Sequence, residues 1–258
     1  MELPRICLKR LNKDMKDMIK DPIENVYLHW DESNILKCYL IIIGPTDTPY
    51  ENGFYLFEFN FSKDFPYKPP RVKYLTTDGK TRMNPNLYEN GKICLSILNT
   101  WDGPQWTSCQ SIRSIALSFQ MILNKYPIQN EPGYGLEKGN KSKLYNHFIS
   151  HANIRVSVLQ MIKNTPKAFE FLKKNMIDYF LKNYNWYEKY CKKRINKYRN
   201  KKLRCPLYIN WTESFNYNKL LKNIQKLKLT LQPNIPQLPS SLNDNIRINT
   251  KKIKINET

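Results

Sequence analysis

At 258 residues, 41% hydrophobic and 25% charged, with a mean hydropathy of -0.63, the chain has core material for one large or two small domains and is no wholly disordered polymer. No run approaches the roughly 18–20 apolar residues of a membrane span, and MELPRICLKR lacks the apolar segment of a secretory signal, so an intracellular protein, cytoplasmic or nuclear, is expected. The formal charge of +20 is uneven: residues 161–230 carry 18 basic and 4 acidic side chains, and KYCKKRINKYRNKKLR (189–204) has nine basic and no acidic ones.

Residues 5–20 place Leu8, Leu11, Met15, Met18 and Ile19 at helical steps, which predicts an amphipathic first helix with Lys9, Arg10 and Lys13 on its wet side, stopped at Asp21-Pro22. Extended runs follow: VYLHW from Val26, ILKCYLIII from Ile35 to Ile43, and FYLFEFNF from Phe54, where Phe57, Phe59 and Phe61 alternate with Glu58 and Asn60. With VKYL after Arg71 they predict an antiparallel meander punctuated by GPTDTPYENG and SKDFPYKPP. From Thr76 to Gln110 the chain is irregular yet rich in apolar groups, so this long loop must be packed down, and such loops usually carry function. Helical spacing returns over 111–124 and, after YPIQNEPGYG, over about 140–163, with Ile154, Val158 and Met161 inward and Pro166 as the stop. Beyond it, 167–203 reads as helical, aromatic and basic, 218–231 as a shorter amphipathic helix, and 232–258 as a disordered tail.

Six cysteines without CxxC spacing predict reduced thiols and no zinc site. Cys94 lies eight positions after Asn86 in the long loop; between Ile93 and Leu95 it reads more readily as a small buried hydrophobe than as a nucleophile. His147 and His151 sit one helical turn apart but lack a third metal ligand. The basic run fits nucleic acid, an acidic protein, anionic lipid or a plain solvated helix face.

Taken together, LKRLNKDMKDMIKDP (8–22), IIGPTDTPYENGFYLFEFNF (42–61), DFPYKPPRV (64–72), MNPNLYENGKICLSIL (83–98) and NEPG (130–133) resemble ubiquitin-conjugating enzymes, over about residues 5–162. IRVSVLQMI and NYNWYE resemble the larger Z type of that family. The resemblance implies an α/β (α+β) fold: a four-stranded antiparallel sheet with flanking helices over 1–165, followed here by a basic, aromatic helical extension over 166–231.

The resemblance makes Cys94 the acceptor that takes ubiquitin or a ubiquitin-like modifier as a thioester from the activating enzyme and yields it to a substrate lysine or a ligase. No histidine base is required, because a free thiol of pKa about 8.5 is already a few per cent thiolate at neutral pH and a thioester is an activated carbonyl. It makes Asn86 a donor to the tetrahedral oxyanion or a brace of the loop. It places Asn130 and Glu131 at an acidic gate where a carboxylate orients the lysine, although Asn130 fits a turn-former as well. Lys9, Arg10 and Lys13 match the face that meets the activating enzyme, and Tyr67 with the loop from Trp106 through Ser108 to Cys109 matches the ligase contact. No cofactor and no metal is implied. Two departures stand out. The family's His-Pro-Asn is Asn84-Pro85-Asn86, a change that should spare catalysis, and its Ser-Pro-Ala is Thr107-Ser108-Cys109, which leaves ligase choice open. The rival readings are a catalytically dead binding module and a nucleic-acid-binding protein acting through 189–204.

Overall fold

The computed structural model describes residues 3–198, 201–208 and 210–232; the expected tail beyond 232 and positions 199 and 200 of the basic run lie outside them. Helix α1 (Arg5–Lys20) has the expected bounds. Its buried stripe is Cys7, Leu11, Asp14 and Met18, steps of three and four that keep one face inward. Ile19, expected inward, is exposed because it lies about 110° round the helix from that stripe.

Strands β1 (Val26–Trp30), β2 (Lys37–Ile43), β3 (Phe54–Asn60) and β4 (Arg71–Tyr74) pair antiparallel in sequence order, the meander that the alternation predicted. Leu40 opposes Phe57 and Cys38 opposes Phe59, and on that face Phe57 stacks 4.1 Å from Phe119 of α2 (Ile112–Ile122). Helix α2 starts in a Ser111–Ser114 capping box, and Asp14 of α1 adds a carboxylate oxygen 3.1 Å from the Ile112 N–H. A negative charge there satisfies an orphan donor and suits the helix dipole.

Helix α3 (Asn140–Ala152) passes into a π-helical segment, Asn153–Gln160, and ends in α4 (Met161–Lys163). Asn153 is buried there, its amide bridging the Tyr55 hydroxyl (2.7 Å) and the Glu51 carbonyl (2.8 Å).

The expectation of helix throughout 167–203 needs correction. Helices α5 (Glu170–Lys182) and α6 (Tyr184–Ile195) break at Asn183, and Lys202–Arg204 is a strand, β5, antiparallel to β6 (Thr212–Ser214). Lys202, Leu203 and Arg204 alternate exposed, half-buried, exposed, a period of two, and Pro206 just beyond could not have continued a helix. Helix α7 (Tyr217–Leu231) closes the described chain against α6.

The extension lies across the second face of the sheet. Phe169 meets Tyr39 edge-on (5.4 Å), Phe171 stacks on His29 (4.6 Å) while staying exposed, and Tyr179 meets Phe54 (6.0 Å). The Tyr179 hydroxyl donates to Asn52 Oδ1 (2.7 Å) and the Tyr187 hydroxyl to the Asn52 carbonyl (2.6 Å). Leu40 to Ile43 are consequently buried on both sides, as a continuous apolar run demands. Tyr187→Phe should cost about 1–2 kcal/mol in denaturant unfolding, since it leaves a buried carbonyl unpaired; an unchanged midpoint would show that this bond is dispensable.

Candidate functional site

The loop between β4 and α2 is packed down as its composition requires, with Met83, Leu87, Ile93, Leu98 and Trp106 buried. Asn84 is its fully buried hub. Its Nδ2 donates to the Tyr50 hydroxyl (2.7 Å) and the Ile122 carbonyl (2.8 Å), and its Oδ1 accepts from Asn86 N (2.9 Å) and Asn130 Nδ2 (3.3 Å). From Asn86 the chain reverses through Gly91, whose φ is +90° and where a Cβ would come within 2.8 Å of the Tyr74 carbonyl, so glycine alone fits.

That reversal brings Cys94 back beside Asn86. Cys94 N donates to the Asn86 carbonyl (2.9 Å), and Asn86 Nδ2 donates to the Cys94 carbonyl (2.7 Å). One amide hydrogen of Asn86 therefore braces the loop, while its buried Oδ1 has no hydrogen-bond partner among the described residues. Cys94 is only 4% exposed, set into the surface. Burial raises the thiol pKa of Cys7, Cys38, Cys205 and Cys191, the last to about 12; Cys109 is exposed.

The two residues expected at the gate part company. Asn130 turns its amide inward to the Ile122 carbonyl (3.1 Å) and Asn84, so it belongs to the brace. Glu131 is half-buried, with its Oε2 3.4 Å from the hydroxyl of Tyr208, which comes from the extension. Sequence reasoning missed Tyr208; a single tyrosine between two three-residue strands carries no local signal.

Of the expected partner surface, Lys9, Lys13, Tyr67, Ser108 and Cys109 are exposed. Two members are not on the wet side. Arg10 is clamped by Asp14 (2.7 Å) and by the Ser108 and Gln110 carbonyls, and Trp106 is buried with its indole N–H on the Pro66 carbonyl (2.7 Å). Both pull the 106–110 loop down onto α1 and the Phe65–Tyr67 corner, which fixes the exposed residues in place.

The histidines do not converge. His147 packs on Tyr198 and has its pKa held down to about 4 by burial and by Lys197 and Arg194, while His151 lies 3.3 Å from Glu213 and accepts from Asn216 N. No cluster of three metal-ligating side chains occurs among the described residues. In the basic run, Tyr198 is buried and Tyr190 stacks on Trp186 (4.6 Å) with Arg194 over its ring (3.5 Å). No described helix is long and apolar enough to cross a membrane.

The chain is 41% identical over 192 residues to ubiquitin-conjugating enzyme E2 Z of Xenopus tropicalis and 43% identical over 192 residues to its Homo sapiens counterpart, covering 74% of this chain in each case. It spans 61% and 54% of the length of those two relatives. It is also 38% identical over 157 residues, 57% of this chain and 3% of the relative, to the human dual E2 ubiquitin-conjugating enzyme/E3 ubiquitin-protein ligase BIRC6. The family model described as ubiquitin-conjugating enzyme matches residues 10–147, a stretch that holds most of α1, the sheet, the Asn84–Cys94 loop and Asn130 with Glu131, and the chain accordingly belongs to the ubiquitin-conjugating enzyme family.

Proposed function

We propose that the chain takes ubiquitin or a ubiquitin-like modifier onto Cys94 from the activating enzyme and passes it to a substrate lysine or a ligase, inside the cell, in cytoplasm or nucleus. The observation that carries this reading is the Asn86–Cys94 pair, closed by two backbone-directed hydrogen bonds in the loop braced by Asn84. In the first step the Cys94 thiolate attacks the activating enzyme's thioester; a new C–S bond forms and the old one breaks. In the second, the lysine amine attacks, the C–N bond forms, the Cys94 thiolate leaves, and the amine's proton passes to the Glu131 carboxylate or to water. Incubation with activating enzyme, ubiquitin and ATP should give an adduct that reductant removes. Absence of any adduct overturns the reading.

Asn86→Ala should slow discharge to free lysine about a hundredfold, because an amide donor is lost where the oxyanion develops. It should also cost about 1–2 kcal/mol, since the Cys94 carbonyl loses its donor. Equal loss of charging and discharge would assign the amide to bracing alone.

Lys9 and Lys13 are exposed cations of α1, so the double reversal Lys9→Glu/Lys13→Glu should slow charging about tenfold at low salt without moving the melting temperature. Undiminished charging would remove α1 from that contact. Over 189–204 the tyrosines are packed inward, which supports a purely electrostatic surface for acidic partners and weakens the nucleic-acid reading, where stacking platforms are the rule.

A further inference from the structure

The segment joining β5 to β6 brings Tyr208 to the edge of the Asn84–Cys94 loop. The Arg82 guanidinium lies 4.9 Å from the Tyr208 ring and 3.6 Å from the Tyr88 ring, and its Nη2 donates to the Pro85 carbonyl (2.6 Å) inside Asn84-Pro85-Asn86. On another side the ring meets Tyr145 edge-on at 6.2 Å. Held between Arg82 and Tyr145, the ring aims its hydroxyl at Glu131 Oε2, 3.4 Å away. Burial, and the Glu131 carboxylate beside it, push the hydroxyl's pKa well up against the opposing pull of Arg82, so it stays a donor at any working pH.

We propose that Tyr208 is a positioning residue of the active site, its hydroxyl holding the Glu131 carboxylate in the orientation that receives the incoming lysine. The proposal rests on the reading of Glu131 given above. Glu131 is half-buried with its carboxylate hydrogen-bonded by Tyr208, and the tyrosine ring is packed against Arg82 and Tyr145. A donor packed in place limits the orientations open to the carboxylate before the lysine arrives, which is where orientation lowers a barrier. A contact of 3.4 Å is long for a hydroxyl and a carboxylate, as is common before substrate binds. The same arrangement makes the extension a part of the conjugating centre.

The test uses the full chain, charged with ubiquitin and then mixed with free lysine. Tyr208→Phe keeps the ring against Arg82 and Tyr145 and removes only the hydroxyl. The expected result is discharge about tenfold slower at saturating lysine, with half-saturation, charging and melting temperature unchanged. Combined with Glu131→Ala, the same substitution should produce no further loss, since the hydroxyl acts through that carboxylate. Wild-type discharge by Tyr208→Phe overturns the proposal, and so does an equal loss in the Glu131→Ala background or a fall in melting temperature that accounts for the change. Failure of the unaltered chain to charge would instead overturn the function itself, and the role of Tyr208 with it.

Discussion

Cys94→Ala should abolish the reductant-sensitive adduct, and Cys94→Ser should leave either none or an oxyester that survives reductant. Cys94 is the thiol-bearing residue held to Asn86 by two hydrogen bonds in the braced loop. Alanine substitution of Cys7, Cys38, Cys191 or Cys205 should leave charging intact, because burial holds each of those thiols protonated. Cys109 is exposed but sits in the 106–110 loop beside α1, outside the Asn86 turn, and Cys109→Ala should charge normally too. Gel separation with and without reductant reads all of these variants. A normal thioester on Cys94→Ala would sink the assignment.

Asn84→Ala should unfold about 3–5 kcal/mol more easily, near 10 °C in melting temperature for a chain of this size. Four polar groups lose a partner at once: the Tyr50 hydroxyl, the Ile122 carbonyl, the Asn86 N–H and the Asn130 amide. The Tyr50 hydroxyl keeps its bond to the Met83 carbonyl, and Asn130 keeps Ile122, so the loss falls mostly on the turn that carries Asn86. Calorimetry or denaturant titration measures it; a change below about 1 kcal/mol would show that Asn84 is not the hub of this loop.

Elements with a strong local period are legible in the amino-acid sequence itself. Helix α1 and the four-stranded meander show the alternation and the stops that define them, and the apolar content of 76–110 requires that loop to be packed. The Asn86 and Cys94 spacing acquires meaning through the family resemblance. What local pattern does not reveal depends on distant neighbours. The helical pattern does not say what Asp14 binds until the N-terminus of α2 is brought against it, and Arg10 reads as a wet-side residue until its backbone acceptors at Ser108 and Gln110 arrive from about a hundred residues away. Lys202–Arg204 is too short and too basic to declare itself a strand without Thr212–Ser214 beside it. Tyr208 is a further case, since its partner Glu131 lies 77 positions earlier.

The covering of the sheet's second face also has a temporal side. Asn52 meets Tyr187 across 135 residues of chain, and Phe54 waits almost as long for Tyr179. At roughly 5–20 residues per second, a ribosome needs on the order of ten seconds to make that intervening stretch. A sheet that forms within that interval presents Tyr39, Ile41, Ile43 and Phe54, all buried in the finished fold, on a bare face, the kind of surface that chaperones are built to shield.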